Sequence, residues 1–148
     1  MAFARTKTYT LDAARAAIQR YCAFQERCHS EVADRLFAMG VLPEAQAELV
    51  SELMNDGYLS EERFARAYAR GKFRIKGWGP RKIAQGLQAK RVSSACIAVG
   101  LQELDEAELR AYLLRKKEAL ASELEFVQWC VRKGYDRGTA LEAFRSED

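Results

Sequence analysis

The residues with the clearest chemical potential in this chain are basic, and they are concentrated in one segment. Between Arg63 and Gln102 there are ten lysines and arginines and no acidic residue, although the 148-residue chain has a formal charge of only +3. Such an excess attracts anionic surfaces, most often nucleic acid, whereas a solvated basic face is the alternative interpretation. The candidate binding residues are Arg63, Arg66, Arg70, Lys72, Arg74, Lys76, Arg81, Lys82, Lys90 and Arg91.

Four of these arginines recur with the spacing of one helical face. At about 100° per residue they form a stripe about 80° wide, and an apolar stripe of Phe64, Tyr68 and Ile75 is centred about 140° away. Like charges at i, i+4 repel weakly, so an arginine row without a nearby carboxylate favours a partner outside the chain. This arginine stripe consists of Arg63, Arg66, Arg70 and Arg74.

The elements that must position these residues are helices. The chain has only two prolines, and apolar residues recur at three- and four-residue spacing without any alternating β-branched segment. Glycines 40, 57, 77, 79 and 134 indicate helix ends. The predicted helices are Leu11–Phe24, Ser30–Met39, Pro43–Asn55, Ser60–Ile75, Pro80–Ala89, Ser93–Gln102, Asp105–Ala119, Ser122–Lys133 and Arg137–Phe144.

Apolar positions repeat when Val41, Val92 and Tyr135 are taken as equivalent origins. The pattern predicts an all-α fold of three tandem three-helix, helix-turn-helix-like repeats at 11–59, 60–104 and 105–148, after an N-terminal tail at 1–10. Stacked repeats of this kind form an elongated, curved body. The equivalent residues are Val32, Ile83 and Phe126 at −9, Leu36, Leu87 and Cys130 at −5, and Val50, Leu101 and Phe144 at +9.

Residues suited to metal binding or catalysis are few. The four cysteines, at positions 22, 28, 96 and 130, include no closely spaced pair, so we expect small buried hydrophobes and neither a metal site nor a cofactor. His29 is the sole histidine, and we find no nucleophile–base constellation and no phosphate-binding loop. The sequence therefore predicts a protein that is not an enzyme.

No apolar run reaches the length of about 20 residues that crosses a bilayer, and no signal peptide is indicated at the start. We therefore expect a cytoplasmic protein without a membrane partner. Because no coiled-coil heptads persist, we expect a monomer.

Two features near the arginine stripe allow more than one interpretation. Arg81 and Lys82 lie in the first turn after Pro80, where a helix N-terminus offers N–H groups to an anion, or they extend into solvent. Trp78, between two glycines, either closes the core over a tight turn or stacks on a base or a partner. The sequence does not decide between these alternatives.

One stretch carries a family resemblance. The segment 56–66, Asp-Gly-Tyr-Leu-Ser-Glu-Glu-Arg-Phe-Ala-Arg, and the segment 76–83, Lys-Gly-Trp-Gly-Pro-Arg-Lys-Ile, followed by Leu87 and Lys90, resemble RecX, the family of regulators of the bacterial RecA recombinase. The resemblance extends more weakly over 27–32 and the repeat layout. It departs at Ser60 and Glu61, which replace an acidic Asp pair, and at Gly86 and Arg91.

The resemblance implies a helical modulator that lodges in the groove of a RecA–DNA filament. There it would restrain strand exchange, ATP hydrolysis and the stimulated self-cleavage of repressors. The alternative is a stand-alone DNA- or RNA-binding module. Contact with the phosphate backbone of single- or double-stranded DNA, independent of sequence, suits an arginine stripe better than base reading does.

Overall fold

The computed structural model describes residues 9–146, and every regular element in this range is a helix. The all-α prediction is therefore confirmed, and every helix end lies within two residues of the predicted one. The nine helices are α1 (Leu11–Phe24), α2 (His29–Ala38), α3 (Pro43–Asn55), α4 (Glu61–Lys76), α5 (Pro80–Ala89), α6 (Ser94–Leu101), α7 (Glu106–Lys117), α8 (Glu123–Lys133) and α9 (Arg137–Arg145).

Most helix boundaries follow from local capping chemistry. Six helices begin at a residue whose side-chain oxygen accepts a backbone N–H of the first turn, which satisfies a donor that the helix leaves unpaired. These residues are Thr10, Ser60, Ser93, Asp105, Ser122 and Asp136. Two predictions were wrong. Ser30 does not start α2, which is capped by Cys28, and Gly79 is the N-cap of α5 rather than a helix end.

The helices pack as three consecutive groups of three, each around its own apolar core. The first core includes Ile18 and Leu36, the second Ile83 and Leu87, and the third Phe126. Cys28 lies in the second core although the predicted boundary assigns it to the first repeat. The boundaries themselves stay a prediction.

The repeat register has a direct structural counterpart. All six residues at the −9 and −5 positions are fully buried: Val32, Leu36, Ile83, Leu87, Phe126 and Cys130. In each repeat the origin residue also donates its backbone N–H to the carbonyl of the −5 residue, at 2.9–3.1 Å. The predicted residues at +9 are only partly buried, and the residues one position earlier, Leu49, Gly100 and Ala143, are buried more deeply.

This shared turn requires a left-handed residue just before each origin. Gly40 has φ +82°, Gly134 has φ +102°, and in the second repeat Arg91 takes the same conformation with φ +61°. A left-handed conformation costs a residue with a β-carbon about 1–2 kcal/mol. The second repeat therefore carries a basic side chain at a position where its two neighbours carry glycine.

Helix α4 packs through small residues more than through its aromatic stripe. Ala65 and Ala69 are fully buried, and a β-carbon at Gly100 of α6 would lie 2.8 Å from the carbonyl oxygen of Ala65. Phe64 is buried as predicted, but Ile75 is 83% exposed. The apolar stripe therefore does not continue into the core at Ile75.

The first and second repeats are joined through the N-terminal turn of α2. The Ser30 hydroxyl donates a hydrogen bond of 2.8 Å to the Lys90 carbonyl, and Lys90 Nζ lies 3.2 Å from a carboxylate oxygen of Glu31. The buried thiol of Cys28 lies beside the same carbonyl. The turn between α5 and α6 is thus fixed to the first repeat.

The second and third repeats are joined by hydrogen bonds between the turn before α5 and the turn after α8. Gly79 N–H donates to the Lys133 carbonyl at 2.7 Å, and Arg81 N–H donates to the Gly134 carbonyl at 2.9 Å. These bonds run from the turn before α5 to the end of α8. They hold the start of α5 against the third repeat.

Close backbone approach explains the two glycines around Trp78. A β-carbon at Gly79 would lie 2.7 Å from the backbone of Gly134, so only glycine fits between the two turns. Gly77 is left-handed with φ +69°, and its carbonyl accepts a hydrogen bond of 3.0 Å from the buried Tyr135 hydroxyl. The Gly-Trp-Gly segment is therefore a packing element of the junction.

Candidate anion-binding surface

The arginine stripe lies on the exposed side of α4, but most of it is paired within the chain. Arg63 binds Glu26 at 2.8 Å, and Arg66 binds Glu62 at 3.1 Å. Arg66 and Arg70 also share Glu103, at 3.2 and 3.3 Å. The prediction of an arginine row that no carboxylate relieves was wrong.

Two of the three partners lie immediately outside the acid-free segment, and the third, Glu26, comes from the first repeat. Glu62 precedes Arg63, and Glu103 follows Gln102 at the end of α6, which packs along α4. Hydrogen bonds, first to Glu62 and then to Glu103, raise the pKa of Arg66, and the Arg66 bond lowers the pKa of Glu103. Ion pairs exposed to solvent contribute little to stability, so these pairs neutralise charge more than they stabilise the fold.

Trp78 is surrounded by lysines that have no such partners. The Nζ atoms of Lys72, Lys76 and Lys82 lie 4.9, 5.7 and 4.8 Å from the centre of its indole ring. None of the three forms an ion pair with a carboxylate of residues 9–146. We call Lys72, Lys76, Lys82 and Trp78 the Trp78 lysine cluster.

The cluster concentrates positive charge over an aromatic face. Attraction to the ring quadrupole offsets part of the repulsion among the three ammonium groups, at about 0.5–1 kcal/mol for an exposed contact. Burial lowers the pKa of Lys72, and repulsion from Lys76 and Lys90 lowers it further. An external anion would relieve this repulsion, so the cluster is the part of the second repeat best suited to bind one.

Trp78 takes the packing role that the sequence offered, whereas stacking on a base or a partner stays a prediction. Its ring is half-buried and packs against the second core, and Lys72 Nζ and Lys82 Nζ lie 4.9 and 4.8 Å from the ring centre. The indole therefore helps to close the core and also forms the base of a cationic surface.

Hydrogen bonds within the chain count against the anion site at the N-terminus of α5 that was one interpretation of Arg81 and Lys82. The N–H groups of Gly79 and Arg81 are occupied by carbonyls of the third repeat. Arg81 lines a different cleft, near Asp136. Lys82 contributes through its side chain, as a member of the Trp78 lysine cluster.

The remaining candidates do not join the Trp78 lysine cluster. Lys90 is paired with Glu31, and Arg91 is placed in the left-handed turn that follows α5. Arg74 is exposed on the last turn of α4, and no carboxylate of the described chain pairs with it. The ten predicted residues are thus divided among residues paired within the chain, the lysine cluster and single cations.

The described residues offer little other chemistry. No group of three or more histidine, cysteine, aspartate or glutamate side chains within residues 9–146 is arranged to hold a metal ion. Three of the four cysteines are buried as expected, whereas Cys96 is only half-buried. No helix in the same range is long and apolar enough to cross a membrane.

Comparison with known proteins identifies this arrangement. Residues 60–101 match the model of the RecX second three-helix domain. The chain is 30% identical over 140 residues to "Regulatory protein RecX" of Bacillus mycoides (strain KBAB4), covering 86% of this chain and 52% of that protein. The protein of the same name from Lactobacillus johnsonii (strain CNCM I-12250 / La1 / NCC 533) is 33% identical over 88 residues, which cover 60% of this chain and 32% of that protein.

The chain belongs to the RecX family. It spans about a third to a half of the length of the curated RecX relatives that it matches. The crystal structure of RecX from Lactobacillus salivarius has the same fold, with a TM-score of 0.84, 17% identity and coverage of 91% of this chain and 94% of that one. A second crystal structure, of regulatory protein RecX, gives a TM-score of 0.72 at 19% identity and covers 92% and 74% of the two chains.

Three basic residues that the sequence reasoning missed lie in the third repeat, outside the segment matched by the RecX domain model. They are Arg115, Lys116 and Lys133, in the last turns of α7 and α8. Lys133 Nζ donates a hydrogen bond of 2.9 Å to the Lys76 carbonyl, so it lies against the end of α4. The signal available in the sequence was the run Arg115-Lys116-Lys117, but its position beside α4 depends on the fold.

Proposed function

We propose that this protein regulates the RecA recombinase by binding the RecA–DNA filament. In this proposal it restrains strand exchange, ATP hydrolysis and the stimulated self-cleavage of repressors. The likeness to proteins named Regulatory protein RecX supports a regulatory role. The chain acts as a binding protein in this account and catalyses no reaction of its own.

The observation that carries the proposal is the Trp78 lysine cluster. It lies in the repeat matched by the RecX domain model, and its three ammonium groups have no ion-pair partner within residues 9–146. A filament offers such a surface both phosphates and protein carboxylates. The paired arginines of α4 add a second group of contacts, because exposed ion pairs exchange partners at little cost.

Binding of DNA alone, without RecA, is the second candidate function. The free cations support it, and the two candidates differ in their salt dependence. Direct phosphate binding falls steeply with salt, because each neutralised phosphate releases counterions. Docking on a filament that includes protein contacts depends less on salt.

We therefore expect the protein to co-sediment with RecA filaments formed on single-stranded DNA, and to slow their ATP hydrolysis. Co-sedimentation should persist between about 50 and 200 mM salt, whereas binding to the naked strand should fall by orders of magnitude over the same range. Absence of the protein from the filament pellet at both salt concentrations would refute the proposal. Equal binding to filament and naked strand would favour the second candidate.

A further inference from the structure

A cleft of about 520 Å³ lies where the last turn of α4 meets the ends of α7 and α8. Five of its lining residues are basic, and none of the others is acidic. The basic residues come from both the second and the third repeat: Arg74, Lys76, Arg115, Lys116 and Lys133. We call this the junction cleft.

Helix capping accounts for only part of this charge. Cations are favoured near helix C-termini by about 0.3–1 kcal/mol each, and three helices end here. Lys133 is used in this way, since it binds the Lys76 carbonyl. The side chains of Arg74, Arg115 and Lys116, by contrast, make no hydrogen bond or ion pair to any residue between 9 and 146. Their charges are available to an external anion.

The wall of the junction cleft is aromatic and apolar. The rings of Phe73 and Tyr112 meet edge to face, 5.7 Å apart, and exposed Ile75 also lines the cleft. The cationic groups of Arg115 and Lys116 lie 6.0 and 5.8 Å from the centre of the Tyr112 ring. A ligand that fits this cleft combines negative charge with an apolar face.

A second cleft at the same junction provides a contrast. It is of similar volume, but its lining includes the acidic residues Glu106, Asp136 and Glu142 together with Arg81 and Arg110. Mixed charges of this kind do not select an anion. The junction cleft is the more selective of the two.

From these observations we propose that the junction cleft binds single-stranded nucleic acid. The phosphates lie on the cations, and an unstacked base lies against Phe73, Ile75 and Tyr112. Single strands bind in this way, through a positive groove and exposed aromatic or apolar side chains, whereas the bases of a duplex are stacked and show only their edges in the grooves.

The cleft also continues into the Trp78 lysine cluster. Lys76 lines the cleft and its Nζ atom lies 5.7 Å from the centre of the Trp78 ring. Together the two sites present seven cations from two repeats. This inference deepens the proposed function, because a RecA filament contains single-stranded DNA that the cleft could bind. Its relevance to regulation rests on the proposed function.

The test is a fluorescence-anisotropy titration of a labelled oligothymidine with the full chain, without RecA, at about 50 mM salt. The variant R115Q/K116Q should bind the strand at least tenfold more weakly. The slope of log K against log salt concentration should also be shallower by about 1.4, which is about 0.7 for each of two lost phosphate contacts. The control R132Q/R137Q loses the same charge from exposed sites of the third repeat outside the cleft and should bind like the parent.

Several outcomes would overturn the inference. The first is an equal loss of affinity for the strand in R115Q/K116Q and R132Q/R137Q. The second is that the parent protein does not bind the strand, and the third is that it binds a duplex of the same length equally well. The single variant R74Q, on the opposite wall, must also weaken binding, which guards against a folding defect in the double variant. Failure here leaves filament co-sedimentation unaffected, so it is distinguishable from failure of the proposed function.

Discussion

The variant Gly134→Ala is expected to lose about 2–5 kcal/mol of unfolding free energy. Two effects add together. Gly134 has φ +102°, where a β-carbon costs about 1–2 kcal/mol. The new β-carbon would also lie 2.6 Å from the backbone nitrogen of Lys82, and such overpacking typically costs about 1–3 kcal/mol. Urea unfolding followed by circular dichroism measures the loss.

Gly57→Ala is the matched control for this prediction. Gly57 is also left-handed, with φ +79°, but a β-carbon there would meet no atom within 4 Å. It should therefore lose only the conformational part, about 1–2 kcal/mol. Equal losses in the two variants would contradict the close approach of the second and third repeats.

Leu87→Ala is expected to lose about 2–5 kcal/mol, because the substitution leaves a cavity in the second core. Leu87 is fully buried, and it lies at the same repeat position as the fully buried Leu36 and Cys130. In a domain of this size each kcal/mol lowers the melting temperature by about 2–4 °C. Thermal unfolding therefore measures the effect directly.

The control for the cavity is Leu124→Ala. Leu124 is 66% exposed on α8, so the same chemical change should cost less than about 0.5 kcal/mol. If Leu87→Ala melted at the temperature of Leu124→Ala, the assignment of the second core would be wrong.

The helices and the repeat pattern could be predicted from the sequence because they depend on local signals. Capping residues such as Ser60 and Ser122 act within one turn, and apolar spacing reports which face of a helix is buried. The spacing of Val32, Ile83 and Phe126 therefore indicates core positions without any knowledge of tertiary contacts. Packing through alanine and glycine, as between Ala65 and Gly100, gave no comparable signal.

The charge pattern gave a wrong prediction for arginines whose carboxylate partners are distant in the sequence. Glu26 reaches Arg63 from the first repeat, 37 residues away in the chain, and Glu103 reaches Arg66 and Arg70 from the end of α6. A count of charges along a segment does not include carboxylates that the fold brings to it. The ammonium groups around Trp78 were among the predicted candidates, but their lack of partners became evident only in the fold.

The junction cleft could not be found from the second repeat alone. Its walls come from Arg74 on α4 and from Arg115 and Lys116 on α7, held together by the turn-to-turn hydrogen bonds between Gly79 and Lys133. In sequence these residues are ordinary basic ends of helices. Their assembly depends on the glycine contacts that bring the two turns together.

The central claim is that binding to the RecA filament depends on the Trp78 lysine cluster more than on the arginine stripe. Two variants with the same loss of three charges test it: K72Q/K76Q/K82Q and R63Q/R66Q/R70Q. The arginines removed are the three that are already paired with Glu26, Glu62 and Glu103.

Co-sedimentation of both variants with RecA filaments on single-stranded DNA, titrated to give Kd, is the deciding measurement. The account predicts a loss of at least about tenfold for the lysine variant, equivalent to about 1.4 kcal/mol, and a clearly smaller loss for the arginine variant. A lysine variant that binds like the parent, or an arginine variant that loses as much, would contradict it.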